Sequence, residues 1–221
     1  IIATLCRLSA GQFLAVMTIA LCPGGVVSNF LSHRAGGNTA LSTVLTLFSS
    51  SFVFLTFPIG LKLSLMLHGV STISIPWSVL SQVSISTAIL TLVPMGLAYL
   101  GTRYLSLLSQ NLLKFCQLIA FFLLLAMIAI IQMNNMKLFL EQFWQTLPTP
   151  LVLNLVFLSF GFGLGYLIRP KNLPLQKTLS LEMGIQNVTV ALYIIPQLLP
   201  THYEVINMVA LWGLLHLVTG F

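Results

Sequence analysis

The sequence predicts an all-α, polytopic membrane helix bundle, and its composition and hydropathy carry that prediction. Of the 221 residues, 57% are hydrophobic and only 5% are charged, and the mean hydropathy is +1.02. A soluble domain carries about 25% charged residues, so this chain could not build a water-facing surface. Long apolar runs recur along the sequence, whereas the ten-residue alternating strands of a membrane barrel are not found in it.

Seven apolar segments are predicted to cross the bilayer as helices, because a crossing needs about 20 apolar residues. The segments are 13–32, 38–61, 78–101, 111–132, 148–168, 175–198 and 204–221. The sequence starts at Ile1, without a methionine, and stops at Phe221 inside an apolar run. We therefore expect a fragment that lacks an N-terminal part.

The basic residues predict how the bundle is oriented. Six of the nine Lys/Arg residues lie in or near the loops 33–37, 102–110 and 169–174, and three lie on the other side. Short loops rich in Lys and Arg stay in the cytoplasm, so these three loops are assigned there. Basic residues at helix ends indicate orientation rather than nucleic-acid binding, which needs a clustered basic face.

Two of the seven segments carry helix-breaking residues. The first contains Pro23-Gly24-Gly25, and the second contains Gly184 within 182–187. Proline removes a backbone donor, and consecutive glycines form helix poorly. Either break could serve helix packing alone. A pair of interrupted helices in corresponding halves of a chain, however, indicates the midplane binding site of a secondary transporter.

Glu182 is the only formally charged side chain that lies well inside a long apolar run, because the other charged residues lie near the ends of the predicted segments or between them. A carboxylate in hydrocarbon costs about 3 kcal/mol, so it is expected to face a cavity, a cation or a proton. Ser42 and Thr46 lie four residues apart on one helix face, and Ser28 and Asn29 follow the first break. The hydroxyls could instead bond carbonyls of their own helix.

Carboxylate, amide and hydroxyl oxygens are the donors that hard cations prefer. Na⁺ is expected over Ca²⁺, because one carboxylate cannot balance two positive charges in a medium of low dielectric constant. A proton relay through Glu182 is the alternative. His216 lies alone in the last segment, where a lone histidine is more often a hydrogen-bonded packing residue than a site residue. No nucleophile–base motif occurs in the sequence, so we do not expect an enzyme.

Two stretches resemble the bile acid:sodium symporter family. The first runs from Cys22-Pro23-Gly24-Gly25 through Ser28-Asn29 to Gly37-Asn38 and on to Thr46; the second is Leu181-Glu182-Met183-Gly184-Ile185-Gln186-Asn187. The resemblance extends from the end of the family's third helix to its tenth. It implies two inverted repeats, a core and a panel domain, and two broken helices that cross. The core would comprise 1–67 and 146–221, and the panel helices 68–145.

The resemblance also implies the site residues. One sodium site would use Ser28, Asn29, Ser42, Thr46 and Glu182. A second would use Glu182, Gln186 and the backbone carbonyls of Met183 and Ile185, without a glutamine that the family carries in its third helix. The organic-anion pocket would be lined by Val26, Asn187 and His216, and Val26 stands where many family members carry a threonine.

The expected function is therefore sodium-coupled symport of an organic anion, such as a bile-acid-like molecule, a sterol conjugate or a small carboxylate, by alternating access. The expected partners are Na⁺, the substrate and membrane lipid. A bacterial inner membrane is expected, or the plasma membrane in a eukaryote. A proton-coupled or other-substrate carrier on the same fold, and a truncated non-transporting paralogue, stay open, as does the oligomeric state.

Overall fold

The structure is a computed structural model that describes residues 8–68, 76–104, 136–198 and 203–220, together with part of 115–133. Within these residues the regular structure is helical and no strand is present, which confirms the all-α prediction. Most of the predicted span 111–132 lies outside the described residues. The described ones between Phe115 and Met133 are helical.

Nine helices have continuous bounds in the described part of the chain. They are α1 Ala10–Leu21, α2 Val26–Arg34, α3 Thr39–His68, α4 Trp77–Tyr104, α5 Met136–Thr146, α6 Pro148–Ile168, α7 Leu173–Gly184, α8 Val188–Leu198 and α9 Tyr203–Thr219.

Both predicted helix breaks are present. The first separates α1 from α2 at residues 22–25, where Cys22 and Gly25 have extended backbones. The second separates α7 from α8 at residues 185–187, and Gly184 is the last residue of α7. Because Pro23 has no backbone N–H and glycines favour non-helical conformations, the first break falls where the sequence places these residues together.

The two breaks cross each other in the interior of the bundle. Gly24 and Gln186 form an isolated antiparallel bridge, and the Asn187 N–H donates to the Pro23 carbonyl at 3.0 Å. The Gly24 N–H donates to Ser49 Oγ at 3.2 Å. Backbone groups that leave a helix inside a membrane need new partners. Each break therefore supplies partners to the other, and the predicted crossing of the broken helices is confirmed.

Two helices differ from the sequence prediction. Helix α3 continues to His68, beyond the predicted segment 38–61, and so runs past Lys62. The Lys62 ammonium lies 4.1 Å from the centre of the Trp77 ring, a cation–π contact that accounts for a charge within the helix. Helix α5 lies outside the seven predicted segments. It is short and amphipathic, so a search for 20-residue apolar runs does not find it.

In the described part of the chain, three helices are long and apolar enough to cross a membrane: Thr39–Leu67, Trp77–Pro94 and Pro148–Ile168. Shorter apolar helices cover Ala10–Leu21, Val188–Leu198 and Val205–His216. Each break divides its predicted span into two short helices, and none of these four helices is long enough to cross the membrane alone.

The apolar core lies among α1, α3, α8 and α9, with Phe57 and Trp212 fully buried. Helices α6 and α7 are packed closely through two glycines of α6. A Cβ at Gly161 would lie 2.3 Å from the Leu179 carbonyl oxygen, and one at Gly165 would lie 2.6 Å from Gln176 Cα. The carbonyl and the Cα are backbone atoms of α7, so any larger residue at these positions would push the two helices apart.

This close packing predicts that Gly161→Ala destabilises the protein while Gly163→Ala does not. A Cβ at Gly163 would meet nothing within 4 Å, and both changes replace glycine in the same helix. Overpacking costs about 1–3 kcal/mol, so G161A is expected to lower the thermal unfolding midpoint in detergent. Equal midpoints for G161A and G163A would show that α6 and α7 do not pack as described.

Candidate functional site

The Glu182 carboxylate lies in the last turn of α7 and faces hydroxyl groups of α2 and α3. Ser28 donates to Oε1 at 2.7 Å, and Thr46 donates to Oε2 at 3.1 Å. The Ser42 hydroxyl donates to Oε1 as well. Ser28, Ser42 and Thr46 are all buried. In the described part of the chain, no basic side chain pairs with this carboxylate, so its charge is met by hydroxyl dipoles alone.

The Asn29 amide oxygen joins the same cluster. Ser42 Oγ donates to Asn29 Oδ1 at 2.6 Å, and Thr46 Oγ1 lies 3.3 Å from it. The structure thus brings together all five residues predicted to form the first sodium site, and we call them the oxygen cluster: Ser28, Asn29, Ser42, Thr46 and Glu182.

The oxygen cluster contains more lone pairs than protons. Three hydroxyls supply one proton each, and these protons are shared among both carboxylate oxygens, the Asn29 amide oxygen and the Gly25 carbonyl, which Ser28 Oγ contacts at 2.7 Å. A set of convergent oxygens with too few hydrogen-bond donors is suited to a hard cation. No group of three or more His, Cys, Asp and Glu residues that could hold a metal ion occurs in the described ranges.

Local sequence explains how the oxygen cluster is assembled. Ser42 and Thr46 lie one turn apart on α3, and Ser28 and Asn29 lie in the first turns of α2, directly after the break. The break itself contributes a close approach of the backbone. A Cβ at Gly24 would lie 2.7 Å from Glu182 Oε2 and 3.3 Å from Thr46 Oγ1, so only glycine fits there without a shift.

The second predicted sodium site is only partly assembled. Gln186 Nε2 donates to the Met183 carbonyl at 2.7 Å, and Gln186 Oε1 is buried without a hydrogen-bond partner among the described residues. Ile185 is fully buried, and its N–H donates to the Leu181 carbonyl at 2.9 Å. No described hydrogen bond joins Glu182 to Gln186, so the carboxylate belongs to the oxygen cluster in this structure.

The residues predicted to line a substrate pocket border the second break. Asn187 Oδ1 accepts a hydrogen bond from the Val190 N–H at 3.3 Å and so caps α8. His216 is buried, packs edge-on against Trp212 with ring centres 5.6 Å apart, and hydrogen-bonds the backbone of Gly184. The Val26 side chain lies outside the described residues. The structure therefore places Asn187 and His216 at the crossing.

One described cavity, of about 740 Å³, follows the outer face of α6 between Val152 and Leu167. Another, of about 610 Å³, lies at the loop between Ile168 and Pro174. Neither cavity is lined by Asn187 or His216, so the substrate pocket stays a prediction.

Asn154, which is not among the residues predicted from the sequence, holds the end of α7 that follows Glu182. It is fully buried in α6, its Nδ2 donates to the Gly184 carbonyl at 2.8 Å, and its Oδ1 accepts from Thr219 Oγ1 at 2.7 Å. The Gly184 carbonyl is at the C-terminal end of α7, where carbonyls lack helical partners. An amide within an apolar span is the one sequence signal that could have indicated this role.

These contacts predict that Asn154→Leu destabilises the protein more than Asn207→Leu. The first change removes one donor from the Gly184 carbonyl, which keeps its bond to His216, and also removes the acceptor of Thr219 Oγ1. Each lost hydrogen bond costs about 0.5–1.5 kcal/mol. Asn207 is also buried, but its Nδ2 has no partner among the described residues, so less is lost there. Thermal unfolding of both variants in detergent makes the comparison. A smaller loss for N154L than for N207L would contradict the assigned contacts.

Comparison with known proteins adds the family to this geometry. The model of the Sodium Bile acid symporter family matches residues 1–142, which is more than half of the chain and includes helices α1 to α4 with the first break. No curated protein matches the chain. The residues of the second break lie beyond the matched range. The chain belongs to the Sodium Bile acid symporter family.

Proposed function

We propose that this chain transports an organic anion together with Na⁺, and that the oxygen cluster binds the ion. Membership of the family points to sodium-dependent symport of bile-acid-like or other organic anions in general. The apolar helices and the transporter family together support an integral membrane protein. The observation that carries the proposal is the convergence of Glu182, Asn29 and three buried hydroxyls beside the crossing.

Electrostatics favours a cation at this position. An anion that is partly removed from water and has no basic partner is costly, and Na⁺ would offset that cost. Hydroxyl groups rotate freely about their C–O bonds. Ser28, Ser42 and Thr46 can therefore donate protons to the carboxylate when no cation is present and turn their lone pairs inward when one binds.

A second ion could be bound at Gln186. Its Oε1 is buried without a described partner, while its Nε2 occupies the Met183 carbonyl. A half-turn of the amide group would place two oxygens side by side, which suits a cation, and the two orientations of an amide differ little in shape. The Ile185 carbonyl and Glu182 would complete this set as the resemblance implies.

The crossing would couple the ion to the substrate. Na⁺ in the oxygen cluster would hold α2, α3 and α7 together and so fix the paired segments around Gly24 and Gln186. No side chain caps the N-terminus of α2, which leaves oriented N–H groups suited to a carboxylate or sulfonate. Ion and anion would then favour each other's binding through the same backbone, as a linkage free energy.

Alternating access would follow from motion between two parts of the chain. The core, residues 1–67 and 146–221, would move against the panel helices of 68–145. The loops 33–37, 102–110 and 169–174 are proposed to face the cytoplasm of a bacterial cell. Each net positive charge that enters with the substrate would gain about 2.3 kcal/mol per 100 mV of inward-negative potential.

Uptake into vesicles that contain the full-length protein tests the proposal. A labelled bile acid is expected to accumulate with an inward Na⁺ gradient and not when K⁺ or choline replaces Na⁺. Glu182→Gln is expected to abolish the Na⁺ stimulation, because the neutral amide cannot offset the charge of the ion. The control is Glu141→Gln, which changes an exposed carboxylate on α5 and should leave uptake unchanged.

The same measurements separate sodium coupling from proton coupling. A proton carrier would take up substrate equally well when Na⁺ is replaced. Its uptake would lose its pH dependence in E182Q, while exchange of substrate across the membrane would persist. A panel of smaller carboxylates measured alongside the bile acid addresses the substrate class. Absence of Na⁺-dependent uptake for every anion in the panel would contradict the proposed function.

A further inference from the structure

A second polar layer lies one helical turn away from the oxygen cluster. Ser32 follows Ser28 by four residues in α2, and Thr178 precedes Glu182 by four residues in α7. Asn38 precedes Ser42 by four residues and adjoins the start of α3. Residues four apart share a helix face. Each of the three elements that build the oxygen cluster therefore also contributes one residue to the second layer.

Thr178 is the centre of the second layer. Its Oγ1 accepts the backbone N–H of Asn38 at 2.7 Å, lies 3.2 Å from Ser32 Oγ, and donates to the Pro174 carbonyl at 2.8 Å. Ser32 and Thr178 are both fully buried. The Thr178 hydroxyl thus joins α7 to α2 and to the beginning of α3, and all of its hydrogen-bonding capacity is used.

The turn between α2 and α3 fits closely against this layer. The Gly37 N–H donates to the Ser32 carbonyl at 2.8 Å, and a Cβ at Gly37 would lie 2.8 Å from Thr178 Oγ1. The Lys177 ammonium donates to the Ala35 carbonyl at 2.8 Å, at the C-terminal end of α2, where a positive charge is favourable. We call this group the turn clamp: Ser32, Ala35, Gly37, Asn38, Lys177 and Thr178.

Apolar packing at the same junction is confined to a small cluster. The described hydrophobic cluster that joins α2 to α7 contains Leu31, Leu181 and Ile185 as its buried members, and the large core lies elsewhere. Apolar contacts are not directional, so a cluster this small does not determine how far one helix slides along another. Hydrogen bonds restrict such sliding because their lengths are defined, and Thr178 makes several at this junction.

We infer that Thr178 is a positioning residue for the cation site. By holding α7 against the turn between α2 and α3, its hydroxyl sets the separation between the Glu182 carboxylate and the Ser28 and Ser42 hydroxyls one turn away. An ion site loses affinity when its ligands move by about 0.5 Å. Contacts behind the ligands hold them within that range. The inference rests on the proposed function, since the ligand that it concerns is Na⁺.

Binding of radioactive sodium to the purified full-length protein tests this role. Thr178→Val keeps the shape of the side chain and removes the hydroxyl. It is expected to raise the half-saturating Na⁺ concentration about tenfold, a change that one or two lost hydrogen bonds would produce. Thr178→Ser restores the hydroxyl and is expected to bind Na⁺ within about twofold of the unsubstituted protein.

The matched control is Thr18→Val. Thr18 is as fully buried as Thr178, but its hydroxyl has no partner among the described residues, so its removal should leave Na⁺ binding unchanged. Should T178V fail to purify as a single species, Lys177→Met removes only the contact to the Ala35 carbonyl. It is expected to raise the half-saturating concentration about threefold, less than T178V, because solvent weakens a partly exposed charge-assisted bond.

Each outcome decides between the two proposals. Weaker Na⁺ binding in T178V, recovery in T178S and no change in T18V would support the positioning role. Unchanged binding in T178V would overturn that role and leave the proposed function standing. Equal losses in T178V and T18V would also overturn it, because they would show a general loss of stability. No Na⁺ binding to the unsubstituted protein would overturn both.

Discussion

This structure depends on the hydrogen bonds between one carboxylate, in the membrane-spanning part of the chain, and hydroxyl groups of two other helices. Glu182 accepts from Ser28 on α2 and from Ser42 and Thr46 on α3, with no basic side chain paired to it in the described residues. Burial of an unpaired charge is tolerated only when the surroundings supply dipoles or an ion. The positions of α2, α3 and α7 relative to one another follow from this requirement.

The backbone meets a related constraint where the two broken helices cross. A helix that ends inside a membrane leaves N–H and C=O groups without partners, and lipid offers none. The bridge between Gly24 and Gln186 and the bond from Asn187 to Pro23 pair one break with the other. The pairing at the crossing is therefore the reason why two interrupted helices are stable in the interior.

Contacts farther from the carboxylate maintain this arrangement. Asn154 ties the end of α7 to α6, and the glycines Gly161 and Gly165 let α6 approach α7 to backbone contact. On the opposite side, Thr178 joins α7 to the turn that precedes α3. The large apolar core among α1, α3, α8 and α9 contains most of the buried hydrophobic residues described, whereas these polar and close contacts restrict how the helices can slide along one another.

The sequence by itself determined that this is a helical membrane protein, where its helices break and which carboxylate lies inside an apolar run, because hydropathy, proline, glycine and an isolated charge are local properties. The tertiary structure alone decided that Gly24 lies against Glu182, that Asn154 holds Gly184, and that Thr178 meets Asn38. Helix α5 was also beyond the sequence analysis, because an amphipathic helix too short to span lacks the long apolar run that marks a crossing. The contacts of Glu182, Asn154 and Thr178 join residues far apart in the chain. Their geometry depends on how the helices cross, which no local pattern encodes.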